Sequence, residues 1–178
     1  METTEKIVEA YVRYVLNCAT IPNIRCKGQH EIDLLAIGLD TGTRYHIETS
    51  VSISGTFSKL TAKKFDSELA KSRVQKPKMR RTVSYFIEHK FSPPLVVTRL
   101  KDFGFTNNNY KKVIVSWGWT PDAEVAAQKA DIELWDFRDN IVQALKGLMQ
   151  DKSSYFTDDT LRTIHLFARS LPDQLKNS

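Results

Sequence analysis

The sequence predicts an α/β protein with a mixed central sheet flanked by helices, and three features carry that prediction. Two strand-like runs joined by the turn Asp40-Thr41-Gly42-Thr43 form an antiparallel hairpin. Val113-Ile114-Val115 and Ile132-Glu133-Leu134-Trp135 are strand cores separated by one helix-length segment, which implies a parallel crossover. Apolar residues at helical spacing precede, separate and follow these strands. At 178 residues, 41% hydrophobic and 26% charged, the chain reads as one globular domain. Its core spans about 3–150, and residues 151–178 form a C-terminal helical extension.

A first helix is expected over 3–18. Thr3 or Thr4 caps it, Glu5 and Glu9 lie early where the helix dipole favours acids, and Val8, Tyr11, Val12, Val15 and Leu16 form its stripe. Pro22 ends any continuation, and a short strand follows over 24–27. Residues 31–39 are apolar enough for a strand buried on both faces, and 44–52 make the third strand. Helices are expected over 60–72 and 79–89, the second carrying Val83, Phe86 and Ile87 and stopped by Pro93-Pro94. A short helix over 95–101 leads to the strand over 111–117. Thr120-Pro121 starts a helix that runs to 130, a fifth strand covers 132–135, and helices over 140–149 and 157–170 complete the chain.

No apolar run is long enough to cross a bilayer, and the N-terminus lacks a signal-peptide layout. Cys18 and Cys26 therefore read as reduced thiols, and the expected location is cytoplasmic, with no membrane association. The four histidines have no zinc-ligand spacing. The net charge of +5 is concentrated: Lys71, Arg73, Lys76, Lys78, Arg80 and Arg81 form a run suited to a phosphate backbone, or else a solvated helix face.

Alternation puts Asp33 of the second strand beside Glu48 of the third. Two carboxylates amid apolar residues repel and are costly to bury unless a cation joins them, and Mg²⁺ (or Mn²⁺) is held by such oxygens. His46, Glu48, Ser50 and Ser52 share one face of the third strand. That polar row marks either a site or the wet face of an edge strand. Asp33 would otherwise pair with Arg25 or Lys27. His46, two residues before Glu48, is placed to orient it or to touch a phosphate.

These residues resemble the PD-(D/E)XK nuclease superfamily, which has the restriction-endonuclease fold. Glu31-Ile32-Asp33-Leu34-Leu35-Ala36 matches its first acidic element, and Glu48-Thr49-Ser50 matches the (D/E)-X-K element with serine in the lysine position. The stretches 113–120 and 126–136 resemble the later strand, helix and strand of Mrr-like members. The resemblance implies an αβββαβ core and Mg²⁺-dependent cleavage of DNA. It makes Asp33 and Glu48 the metal ligands, with Glu9 as an accessory metal or water contact. Ser50 carries no charge, so either Lys59, Lys63, Lys64 or Lys27 substitutes for the lysine, or the domain binds nucleic acid or a protein without cutting. No helix-turn-helix or zinc finger offers base readout. One such site cuts one strand, so a homodimer is expected. The stripe Leu161, Ile164, His165 and Ala168 either forms its interface or completes the core.

Overall fold

A computed structural model describes residues 3–51, 59–65, 81–106, 109–149 and 158–170. Helix α1 (Thr3–Tyr14) is followed by β1 (Cys18–Arg25), a tight turn (Lys27–Gln29), β2 (Glu31–Gly38) and β3 (Arg44–Thr49). Next comes α2, one α-helical turn (Val83–Tyr85) that runs straight into a π-helical segment (Phe86–Phe91). Helix α3 (Pro94–Asp102), β4 (Tyr110–Ser116), α4 (Pro121–Lys129) and β5 (Ile132–Asp136) follow. Helix α5 joins a π-helical Phe137–Val142 to Gln143–Met149, and α6 spans Asp159–Ser170.

The strands form one mixed sheet in the order β1-β2-β3-β4-β5. The first two pairings are antiparallel and the last two parallel, as the hairpin and the crossover require. Apolar residues pack on both faces of this sheet. On one, Leu34, Ala36, Ile47, Val113 and Val115 meet Val8 and Val12 of α1, Ile141 and Leu145 of α5 and Leu161 of α6. On the other, Leu35 packs with Val96 and Leu100 of α3, while Ile114 packs with Val83, Phe86 and Phe91 of α2 and Ala123 and Ala127 of α4.

Three sequence expectations change. Helix α1 stops at Tyr14, and β1 is twice as long as expected. Pro22 sits inside it, opposite Leu34, because β1 is an edge strand, where a missing N–H is tolerated. The start of the expected 60–72 helix is extended. Leu60 accepts from the Thr120 N–H and donates to the Gly118 carbonyl, both at 3.0 Å, and its side chain is buried. Residues 66–72 of that helix and the basic residues Lys71, Arg73, Lys76, Lys78 and Arg80 lie outside the described residues. Arg81 is half-buried, its carbonyl accepting from the Thr61 N–H at 3.1 Å.

Within the α6 stripe, Leu161 is fully buried and Ile164 packs against the core, so these two residues complete the core. Trp117, Trp119 and Trp135 are all half-buried against the core rather than displayed. Both cysteines are free thiols. Among the described residues, no helix is long and apolar enough to cross a membrane.

Candidate active site

β3 is the central strand, so the wet-edge explanation of its polar face does not hold. His46 and Glu48 are both 0% exposed and Asp33 is 9% exposed. The antiparallel register pairs Leu34 with Ile47 and Leu35 with His46, and its next step brings Asp33 across from Glu48. Asp33 Oδ2 accepts the Thr49 N–H at 2.8 Å, which ties the carboxylate to the end of β3.

The cation joining the two acids is Lys90, from the π-helical part of α2. Its Nζ lies 3.0 Å from Asp33 Oδ1, 2.6 Å from Glu48 Oε2 and 3.2 Å from the Glu31 carbonyl. Two of its N–H groups are hydrogen-bonded, to Asp33 and the Glu31 carbonyl, and Glu48 is its ion-pair partner. Single π-helical turns recur at functional sites because the extra residue per turn re-aims one side chain. In this helix Phe86 and Phe91 are both buried and Lys90 reaches across the sheet face between them.

His46 Nε2 lies 2.8 Å from Glu48 Oε1, and its ring meets Phe91 edge-on at 4.8 Å. Burial pulls the imidazole pKa down to about 3, so the ring is neutral at pH 7. When Glu48 is ionised its carboxylate only accepts, so the imidazole proton then sits on Nε2 and is donated to Glu48. Three of the four acid oxygens are hydrogen-bonded, while Glu48 Oε2 meets Lys90 as an ion pair but has no hydrogen bond, and His46 Nδ1 is also buried without one.

The electrostatics follow from burial. Desolvation first, then the neighbouring Glu48 charge, push the Asp33 carboxyl up to about 7 against the pull of Lys90. Desolvation likewise raises Glu48 to about 7, again opposed by Lys90. Burial works against the Lys90 charge, but the Glu48 and Asp33 carboxylates outweigh it and hold the ammonium above the ordinary lysine range. The acids form one coupled system that titrates near neutrality. One ammonium does not balance two carboxylates, so the ionised site carries excess negative charge.

No family model, curated protein or solved structure matches this chain. The site's own donor set is therefore what bears on a metal. Among the described residues, no group of three or more His, Cys, Asp or Glu side chains is arranged to hold an ion. Mg²⁺ does not demand one, because it is commonly held by one or two carboxylates with waters and substrate phosphates completing the shell. Asp33 and Glu48 fit that role by atom type, placement and unbalanced charge.

The other sequence candidates lie elsewhere. Glu9 does not join the pair: its carboxylate accepts from Thr20 Oγ1 at 2.8 Å, and α1 covers the sheet face opposite to Asp33 and Glu48. Ser50 follows β3 and donates its N–H to the Val115 carbonyl at 2.8 Å. Lys59, Lys63 and Lys64 are exposed, and the Lys63 charge acts on Asp122, not on the site. Lys27 is exposed in the turn after β1. Arg25 and Lys27 leave Asp33 to Lys90. Sequence reasoning missed Lys90, which lies one residue past the expected 79–89 helix, and no spacing signal pointed to it because the π-helical turn shifts the local period.

Proposed function

We propose that this chain is a metal-dependent DNA phosphodiesterase, a divergent relative of the PD-(D/E)XK nucleases in which Lys90 replaces the lysine that Ser50 lacks. The observation that carries the reading is the Lys90 ammonium held between Asp33 and Glu48 from a neighbouring helix. Nothing in a purely structural role calls for two desolvated acids and a lysine at the centre of a sheet.

Asp33 and Glu48 would hold Mg²⁺ or Mn²⁺, which when bound polarises a phosphodiester oxygen and acidifies a water. The protein's own groups prepare the site. The Thr49 N–H fixes Asp33, and neutral His46 fixes Glu48 through Nε2–H. Lys90, on the open side of the site, would turn N–H groups toward the phosphate and stabilise the negative charge that grows on its oxygens in the transition state. Lys90 and Asp33, with side chains 21% and 11% exposed, form the open side of the site; Glu48 and His46 form its closed back. DNA is favoured as substrate by the chain's positive charge and the basic run 71–81.

A second reading, a domain that binds without cutting, draws on the fact that Lys90 already ion-pairs with both carboxylates. Incubation of duplex, single-stranded and branched DNA with Mg²⁺ or Mn²⁺ against chelator separates the two. Cleavage is expected only with metal, and Glu48→Gln should lower its rate by about 100-fold or more. DNA binding with no cleavage of any substrate would establish the second reading instead.

A further inference from the structure

We propose that the cleft between the end of β1, the turn Lys27–Gln29 and α3 is a backbone-phosphate subsite. It would hold the DNA strand whose phosphodiester lies at Asp33, Glu48 and Lys90, and so rests on the reading above. The cleft has a volume of about 420 Å³. One wall is a single face of α3, made by Leu95, Thr98, Arg99 and Asp102 at helical spacing, while Val96 and Leu100 turn to the core. The other wall is Arg25, Cys26 and Lys27.

Charge selects the ligand. Arg25, Lys27 and Arg99 face the cleft against one acid, Asp102, which pairs with Arg99 at 3.2 Å. Among the described residues, Arg25 and Lys27 have no ion-pair partner. The Arg99 guanidinium is braced over the Phe103 ring at 4.8 Å, with its side chain 42% exposed. A braced, partly exposed guanidinium beside two cations without an ion-pair partner suits a phosphate oxygen. Leu95, 41% exposed, gives the apolar wall that a deoxyribose would lie against.

Position ties the cleft to the site. Arg25 is paired in the sheet with Glu31, and the Glu31 carbonyl accepts from Lys90 at 3.2 Å. The Cys26 thiol in the cleft wall lies within electrostatic reach of both Glu48 and Lys90. Glycine at residue 28 favours the turn's approach to α3: its φ is +72°, which disfavours other side chains, and a Cβ there would press on Leu95 Cδ1 at 3.0 Å. Contacts of this kind fix where a strand lies without reading its sequence.

Fluorescence anisotropy of the full chain with a short labelled DNA duplex, in chelator and over a range of salt concentrations, tests the assignment. R25Q/K27Q should bind about 10-fold more weakly, with a log–log salt slope shallower by about 2. Asp102→Asn should bind severalfold more tightly, because it removes the one acid competing for Arg99; a merely structural role for these residues would not give opposite signs. Unchanged affinity and slope in R25Q/K27Q, or weaker binding by Asp102→Asn, would overturn the subsite even if the wild type cleaves DNA. Wild-type binding that follows the expected pattern without cleavage would leave the subsite standing and remove the nuclease reading. A wild type that binds no DNA removes both.

Discussion

Lys90→Ala is expected to destabilise the metal-free protein by about 3 kcal/mol at pH 8, because it strands two buried carboxylates without their cation. An ordinary surface ion pair is worth about 0–1 kcal/mol, so the measurement discriminates. Lys90 is 21% exposed and Glu48 is fully buried, which places this pair with the buried class. Chemical denaturation of wild type, Lys90→Ala, Glu48→Gln and the double variant would read it. The double variant should regain part of the loss, since it removes one of the two stranded charges. The loss should shrink toward pH 6 as the acids take up protons. A loss below about 1 kcal/mol at pH 8 would show that Lys90 rests against the carboxylates without neutralising them. The same substitution should abolish metal-dependent cleavage, whereas a structural lysine would leave residual activity in the folded fraction.

The second large effect is the joint action of pH and Mg²⁺ on stability. Asp33 and Glu48 hold protons more tightly in the folded state, at about 7, than in the unfolded chain. Their stabilising contribution is therefore complete below the unfolded value of about 4 and is lost as pH rises through about 7. His46 acts in the opposite sense: with its folded pKa at about 3, it costs stability as pH falls below the unfolded value of about 6.5. The two trends oppose one another between about 4 and 6.5, and only the carboxyls act above that window. In chelator, the unfolding temperature should fall from pH 6.5 to pH 8. Millimolar Mg²⁺ should reverse the fall, with a larger gain at pH 8 than at pH 6, because the ion competes with protons for the same oxygens. Calorimetric scans at the three pH values, with and without Mg²⁺, measure it. An equal Mg²⁺ gain at pH 6 and 8, or none at either, would count against these acids as the metal ligands.

Much of this architecture is legible in the sequence because it is written in local patterns. The turn at 40–43, the apolar runs on either side of it and the strand–helix–strand that ends at Trp135 fix the antiparallel and parallel halves of the sheet. Asp33 and Glu48 could be paired in advance because a hairpin sets its own register. Lys90 could not be found by spacing, since it lies 42 positions after Glu48 and its helix reads from Val83, Phe86 and Ile87 as an ordinary amphipathic one. A lysine near a helix C-terminus is also what the dipole favours, which hides an unusual residue behind a usual explanation. The π-helical turn adds a residue to the local period, so helical spacing no longer tells where a side chain points. Pro22 misled for a related reason: it stops a helix wherever it occurs, but in a strand its effect depends on whether that strand is at the edge, a fact of tertiary structure.

The 2.8 Å bond from the Thr49 N–H to Asp33 gives the backbone a direct view of the chemistry next to it. A main-chain amide resonance shifts with the charge of the group it donates to, so Thr49 is a built-in spectroscopic indicator of whether Asp33 is protonated, paired with Lys90 or engaged by an ion. The same link means that an Asp33 variant alters the fraying of β3 along with the site, so the loss of the carboxylate is cleanly interpreted only where the Thr49 amide remains protected from solvent exchange.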